Sequence, residues 1–322
     1  MEESNMRTAR MLFVVAALIP VAAFAYPTRP VRLIVPVTPG GGADFTARHL
    51  AQKLGDIWGQ TVIVDNRPGA TGNVGVELAA RATPDGHTLV LPITSLPVNP
   101  SLYPKLPFDT EKDLAPIVLV GTGALLLVVY PGVPAKTVDG LIAAAREKPR
   151  AFNYASAGSG TTAHLASELF KRMADVQIVG VAYRGAAAAT VDLISGQVHM
   201  FFSTVPSVAG QLKTGRLRAL AVTSPQRIAE LPEVPTVAES GLPGFNVVYW
   251  FGLFSAAGTP KNIVATINAA SNRVLKLAET REKFSVQGMT PGGGTPEELG
   301  AFLKAEIAKW GKVVKEAGIR AE

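Results

Sequence analysis

VRLIVPVTPGGGADFTARHLAQKLG, residues 31–55, changes period twice. Val31–Val37 is a short apolar run of strand type. Thr38–Ala43 is a Gly-rich turn. From Asp44 to Gly55 the apolar residues Phe45, Ala47, Leu50, Ala51 and Leu54 recur at helical spacing. Working outward, Thr61–Asp65 reads as a strand and Asn66–Asn73 (NRPGATGN) as a loop. Val74–Ala82 reads as a helix and Thr88–Ile93 as a strand. Strand and helix alternate as β-α-β-α-β, which predicts a parallel sheet covered on both faces.

The same alternation returns later. Phe152–Ser156 is a strand, Ala157–Thr161 a Gly/Ser/Thr turn and Thr162–Met173 a helix. Gln177–Val181 is a strand, and Tyr183-Arg184-Gly185 turns into the helix Ala186–Ser195. Val198–Ser203 and Leu217–Thr223 are strands, and Asn262–Ala278 and Pro296–Ala317 are helices. Leu231–Phe245 is broken up by Pro and Gly and reads as a crossover between domains. His49-Leu50-Ala51 with Leu54 aligns with His164-Leu165-Ala166 with Leu169, an offset of 115 (164 minus 49). Each half therefore offers its own strand–turn–helix unit. Ala115–Tyr130 is a long apolar run. Its β-branched residues and its Gly121 and Gly123 favour two buried strands over a membrane helix.

The 322 residues suffice for about two domains. At 48% hydrophobic and 17% charged residues, the chain can build cores and is not disordered. It has no Cys, which excludes a disulfide scaffold, a thiolate metal site, a Cys nucleophile and a lipid-modified N-terminal Cys. The net charge of +6 suits an anionic partner, but no run of Lys and Arg suggests nucleic acid. Arg7 and Arg10 precede an apolar run, Met11–Ala25, that ends Ala23-Phe24-Ala25. This is the pattern of a secretory signal peptide cleaved after Ala25. Fifteen residues containing Pro20 fall short of the ~20 needed to span a bilayer. The expected product is released, in a Gram-negative cell to the periplasm, with no transmembrane segment.

The two Gly-rich turns carry the chemistry. A helix start leaves backbone N–H groups without intrahelical partners, and aligned peptide dipoles place partial positive charge there. Glycines let a ligand approach that backbone. Pro39-Gly40-Gly41-Gly42-Ala43-Asp44 and Ala157-Gly158-Ser159-Gly160-Thr161-Thr162 each follow a strand and open a helix. Two such turns can hold the ends of a carboxylate ligand without an Arg. Each charge-assisted hydrogen bond contributes about 1.5–3 kcal/mol. Ser159, Thr161 and Thr162 add hydroxyls. Gly41→Val and Gly158→Val are then expected to weaken binding with little loss of fold. Asp44 is expected to order its loop rather than face the ligand. Phe45 and Trp250 lie in cleft-forming segments, where core and ligand roles both remain open, and Arg184 reads as an exposed cation. Neither turn is a nucleotide fingerprint: GSGTTA lacks a third glycine of G-x-G-x-x-G, and no Lys-Ser/Thr follows. Gly158-Ser159-Gly160 is not a nucleophile elbow, and the four His residues show no metal spacing. No metal, cofactor or catalytic set is expected, so the protein is not read as an enzyme.

Together these segments resemble the Bug-type (TctC-like) receptors, the periplasmic substrate-binding proteins of tripartite tricarboxylate transporters. The matching stretches are YPTRPVRLIVPVTPGGGADFTARHLAQKLG, VIVDNRPGATGNVGVELAARATPDGHTL, LYPKLPFDTEKDLAP, YASAGSGTTAHLASELFK, AYRGAAAATVDLISGQVHMFF, GRLRALAVTS and LPEVPTVAESGLPGF, completed by SAAGTP and KWGKVVKEAGI. The resemblance implies two Rossmann-like α/β domains flanking a ligand cleft, a type II periplasmic binding protein that closes like a flytrap. It implies a discontinuous first domain, 26–124 plus 246–322, and a second domain, 125–245. It implies a monomer that captures a small carboxylate and delivers it to the transporter's membrane subunits. A sensor that shows its closed form to a signalling partner is the alternative.

In the family the two Gly-rich loops and ordered water hold a ligand carboxylate. Carried onto this chain, the ligand-binding candidates of the first loop are Pro39, Gly40, Gly41, Gly42, Ala43, Asp44 and Phe45. Those of the second are Ser156, Ala157, Gly158, Ser159, Gly160, Thr161, Thr162 and His164, joined by Tyr183, Gly185, Ser203 and Trp250. The chain departs from the family at Thr38, where Pro is usual, and at Gly180 and Ala182, where His and Pro are usual. It also has Ser203 where many members carry Asp or Asn. That last change argues against a ligand whose amino group is read at Ser203.

Overall fold

The computed structural model describes residues 26–156, 158, 160–183 and 185–319. The expected signal segment 1–25, together with Ala157, Ser159 and Arg184, lies outside the described residues.

The first unit runs β1 (Val31–Val35), α1 (Gly42–Trp58), β2 (Val62–Asn66), α2 (Asn73–Ala80) and β3 (Thr88–Val90). β1 pairs in parallel with β2 on one side and β3 on the other. After α3 (Asn99–Leu102) and β4 (Leu114–Val129) comes α4 (Val138–Glu147), and then the second unit. It runs β5 (Asn153–Ser156), α5 (Thr162–Ala174), β6 (Val179–Ala182), α6 (Ala186–Ile194) and β7 (Met200–Thr204). β5 pairs in parallel with β6 and β7, repeating the arrangement of the first unit. The chain continues through α7 (Val205–Lys213), β8 (Arg218–Val222) and β9 (Val248–Ala256). It ends with α8 (Lys261–Leu275), α9 (Ala278–Val286), β10 (Met289–Gly293) and α10 (Pro296–Ala317).

Among the described residues ten strands form one continuous sheet, β2-β1-β3-β9-β4-β7-β5-β6, with β8 and β10 also on β4. β4 is the pivot. It pairs antiparallel with β9 as far as Ala124 and with β7 from Leu125 onward. Ala115–Tyr130 is thus one long strand and not the expected two. Its glycines do not interrupt it; they make room. A Cβ at Gly121 would lie 2.9 Å from the Thr290 carbonyl oxygen, and one at Gly123 would overlap the Tyr249 ring. The expected helix Asn262–Ala278 ends as α8 at Leu275, and after Leu277, whose backbone is extended, a further helix, α9, begins at Ala278. Thr280 Oγ1 closes that corner by donating to the Val274 carbonyl at 2.7 Å.

The cores follow the two units. Leu33 of β1 shares one core with Leu50 and Leu54 of α1, and Phe170 of α5 shares another with Phe202 and Phe245. Leu231–Phe245 folds onto the second unit, where Val237 and Phe245 are buried. α10 begins with Thr295 and Glu298 in a reciprocal capping box and stops at Gly318, whose φ is 64°. Its 22 residues span about 33 Å. That length carries it across the molecule: Leu299 and Leu303 pack with Trp250 and Phe254 of β9, while Trp310, Val313 and Val314 join the second unit's core. α10 thus contributes side chains to both cores.

Candidate functional site

In a β-α unit the helix starts at the carboxyl end of the preceding strand, so α1, α2, α5 and α6 present their N-termini at the strand ends of their units. The first turn, at α1, keeps Gly40, Gly41 and Gly42 exposed. Gly41 is the N-cap, with no side-chain hydrogen bond to the first-turn N–H groups. Asp44 is 4% exposed and spends its carboxylate on the protein. It accepts from Gly40 N at 3.0 Å, Asn66 Nδ2 at 2.9 Å and Arg48 Nε at 2.9 Å. Burial alone would raise its pKa. The hydrogen bonds from Arg48, Gly40 and Asn66, with the Arg48 charge, outweigh burial and hold it below the ordinary value. Asp44 thus orders the loop through its protein partners.

Because that pKa is lower folded than unfolded, the stabilisation is complete above the usual Asp value of ~3.9 and is lost as pH falls through the folded value. The stability gap between wild type and Asp44→Asn is expected to narrow as urea titrations move from pH 7 to pH 3. A gap independent of pH would contradict this role.

The second turn is stitched to itself. Thr161 Oγ1 donates to Gly158 O at 2.8 Å and accepts from His164 N at 3.4 Å as the cap of α5. Gly160 N donates to His164 Nδ1 at 3.2 Å, and Ser156 Oγ donates to Gly158 O at 3.1 Å. Gly158 has φ 128°, so a side chain there strains the backbone whatever the space. The expectation that Gly158→Val spares the fold is therefore corrected. Gly41 is the clean position: its φ is −88°, and a Cβ there meets nothing within 4 Å.

A cavity of about 190 Å³ opens at the helix starts of the second unit, closed on one side by Tyr249 of β9. Thr161, Thr162 and Ala163 enter from the start of α5 and Ala186 from the start of α6. Phe201, Phe202, Ser203 and Thr204 come from β7, Leu125 from β4 and Tyr249 from β9. No charged side chain is among these lining residues. α6 has Gly185 as its N-cap, without a side-chain cap. Tyr249 Oη donates to the Gln287 carbonyl at 2.8 Å, and Gln287 Oε1 lies 3.7 Å from where a Gly42 Cβ would sit. Gln287 thus lies beside Gly42 of the first Gly-rich turn and holds Tyr249 of the cavity wall. Phe45 is 37% exposed at α1's first turn.

Of the expected residues, Thr161, Thr162 and Ser203 line the cavity, and Ser156, Gly158, Gly160 and His164 brace the turn behind them. Tyr183 turns back along α6. Its hydroxyl donates to Asp192 at 2.8 Å, and burial followed by the Asp192 carboxylate pushes its pKa up to about 12. Trp250 is fully buried, its ring edge-on to Phe302 with centroids 5.3 Å apart. It belongs to the core, not to the cleft wall where it was expected. Successive strand residues face opposite sides, so its neighbour Tyr249 reaches the cavity instead. The VVYW stretch showed two aromatics on opposite faces but not which face was which. His49, the counterpart of His164, is buried on α1 and bonds Thr280 Oγ1 at 2.9 Å through Nε2.

The architecture is that of periplasmic solute-binding proteins: two α/β units, with a cavity at the helix N-termini of the second. The chain belongs to the tripartite tricarboxylate transporter family of receptors, whose family model matches residues 46–319. It is 39% identical to Protein BugT of Bordetella pertussis over 94% of this chain and 93% of that one. Among solved structures it is similar to R. palustris Rpa4515 with adipate, at 36% identity and TM-score 0.81, covering 92% of this chain and 100% of the other. It is also similar to MatC from Rhodopseudomonas palustris with bound malate, at 31% identity and TM-score 0.77, covering 90% and 100%. Among the described residues no helix is long and apolar enough to cross a membrane.

Proposed function

We propose that this chain is a periplasmic receptor that binds a small organic acid between two lobes and hands it to the membrane subunits of a tripartite tricarboxylate transporter. The observation that carries this reading is the cavity whose polar lining, among the described residues, is helix N-termini and hydroxyls without a charged side chain. Such a lining suits a carboxylate, which accepts backbone N–H bonds at a helix start. The family, and two similar structures, one with adipate and one with bound malate, support the same ligand chemistry. The lobes are 26–124 with 246–322, and 125–245, meeting where β4 changes partner. The chain acts as a monomer without catalysis and is exported by residues 1–25. The ligand closes the lobes only by preferring the closed form.

A thermal-shift screen against mono-, di- and tricarboxylates tests this. A ligand at 100 times its Kd stabilises by about 2.7 kcal/mol, which is roughly 5–10 °C for a chain of this size. A shift confined to one group of acids is expected. No shift with any acid, before or after unfolding and refolding to strip bound ligand, would contradict the proposal.

A further inference from the structure

The hydroxyls on the cavity wall are not equally available. Thr161 Oγ1 is committed to Gly158 O, Thr204 Oγ1 is paired with Ser207 Oγ at 2.7 Å, and Tyr249 Oη is committed to Gln287 O. Thr162 is partly exposed at the first turn of α5. Ser203 differs: the residue is 2% exposed, and its Oγ is buried without any hydrogen-bond partner. A buried hydroxyl with no partner is costly, and this one sits on the wall of the ligand cavity. Around it the surface is hydrocarbon, from Leu125, Ala163, Ala186, Phe201 and Phe202.

From this we infer the ligand's class: an organic acid with an apolar body, a plain saturated chain or ring, whose one buried polar contact on the β7 side is the Ser203 hydroxyl. The inference rests on the receptor reading above and narrows it. An amino substituent would bring an ammonium to a wall whose described residues include no carboxylate and whose helix N-termini carry partial positive charge. A third carboxylate would have to be desolvated against Phe and Leu side chains without a partner. The cavity is about six waters in size by the ~30 Å³ each occupies in the liquid, which suits a short chain or a single ring.

The experiment is isothermal titration of the purified, refolded protein with four probes: adipate, benzoate, 2-aminoadipate and citrate. It is repeated on Ser203→Ala. That variant removes a hydroxyl with no protein partner, so the fold is not at stake. Adipate or benzoate is expected to bind at least about 100-fold more tightly than 2-aminoadipate and citrate, and Ser203→Ala to weaken that acid about 10-fold. Equal or tighter binding of 2-aminoadipate or citrate would overturn the inference and leave the receptor reading standing. Unchanged affinity in Ser203→Ala would overturn the role given to Ser203. Binding of none of the four would overturn the inference, while the receptor reading stands or falls with the wider acid screen.

Discussion

Trp250→Ala is expected to destabilise the protein by about 3–5 kcal/mol while leaving ligand affinity nearly unchanged under folding conditions. Trp250 is fully buried among Ile34, Phe254 and Leu303, and its ring meets Phe302 edge-on. Truncation removes a large apolar side chain and leaves a void where β9 packs on α10. A fall in Tm of roughly 10 °C follows from the usual conversion for chains of this size. The loss should also loosen the α10 strap, because Leu299 and Leu303 share that cluster. A ligand-contacting tryptophan would behave in the opposite way, with affinity falling and the urea midpoint holding. That pattern would return Trp250 to the cleft.

Gly41→Val tests the other end of the site. Gly41 is the N-cap of α1 on an exposed turn, in backbone that any residue adopts, with nothing near its absent Cβ. The fold should lose only about 1 kcal/mol, the difference between a good and a poor cap. Affinity for the tightest acid of the panel should fall about 10- to 100-fold, the value of one charge-assisted hydrogen bond lost when the branched side chain keeps a carboxylate off the α1 amides. Gly40 and Gly158 are poorer probes, because φ values of 93° and 128° make any side chain strain the backbone. Unchanged affinity in Gly41→Val would remove the first Gly-rich turn from the site.

Local order was legible wherever period and turn chemistry agreed. The apolar spacing from Phe45 to Leu54 located α1, and Thr295 with Pro296 and Gly318 bounded α10. Strands near glycines were harder. Gly121 and Gly123 look like breaks in a sequence. In the fold they are the places where β10 and the Tyr249 ring press on β4, which only tertiary contact can reveal. Trp250 lies on the core side and Tyr249 on the cavity side for a similar reason. Alternation says that neighbours on a strand face opposite ways, but the core side is decided by α10, 50 residues later in the chain. The C-terminal strap was hidden too, because a helix face long enough to serve two cores reads like a face serving one. The two Gly-rich turns were read correctly as helix starts. Their internal stitching, Asp44 to Gly40 and Thr161 to Gly158, depends on rotamers that no pattern specifies.

The most direct test of the central claim compares an acid with its uncharged copy. Calorimetry of the refolded protein would titrate the tightest dicarboxylate of the panel and then its diamide, which has the same length and shape without the charge. Helix N-termini and hydroxyls that recognise a carboxylate predict binding of the acid and a loss of at least about 100-fold for the diamide. Equal affinity for both would mean that the cavity reads shape alone, and the carboxylate receptor account would fall.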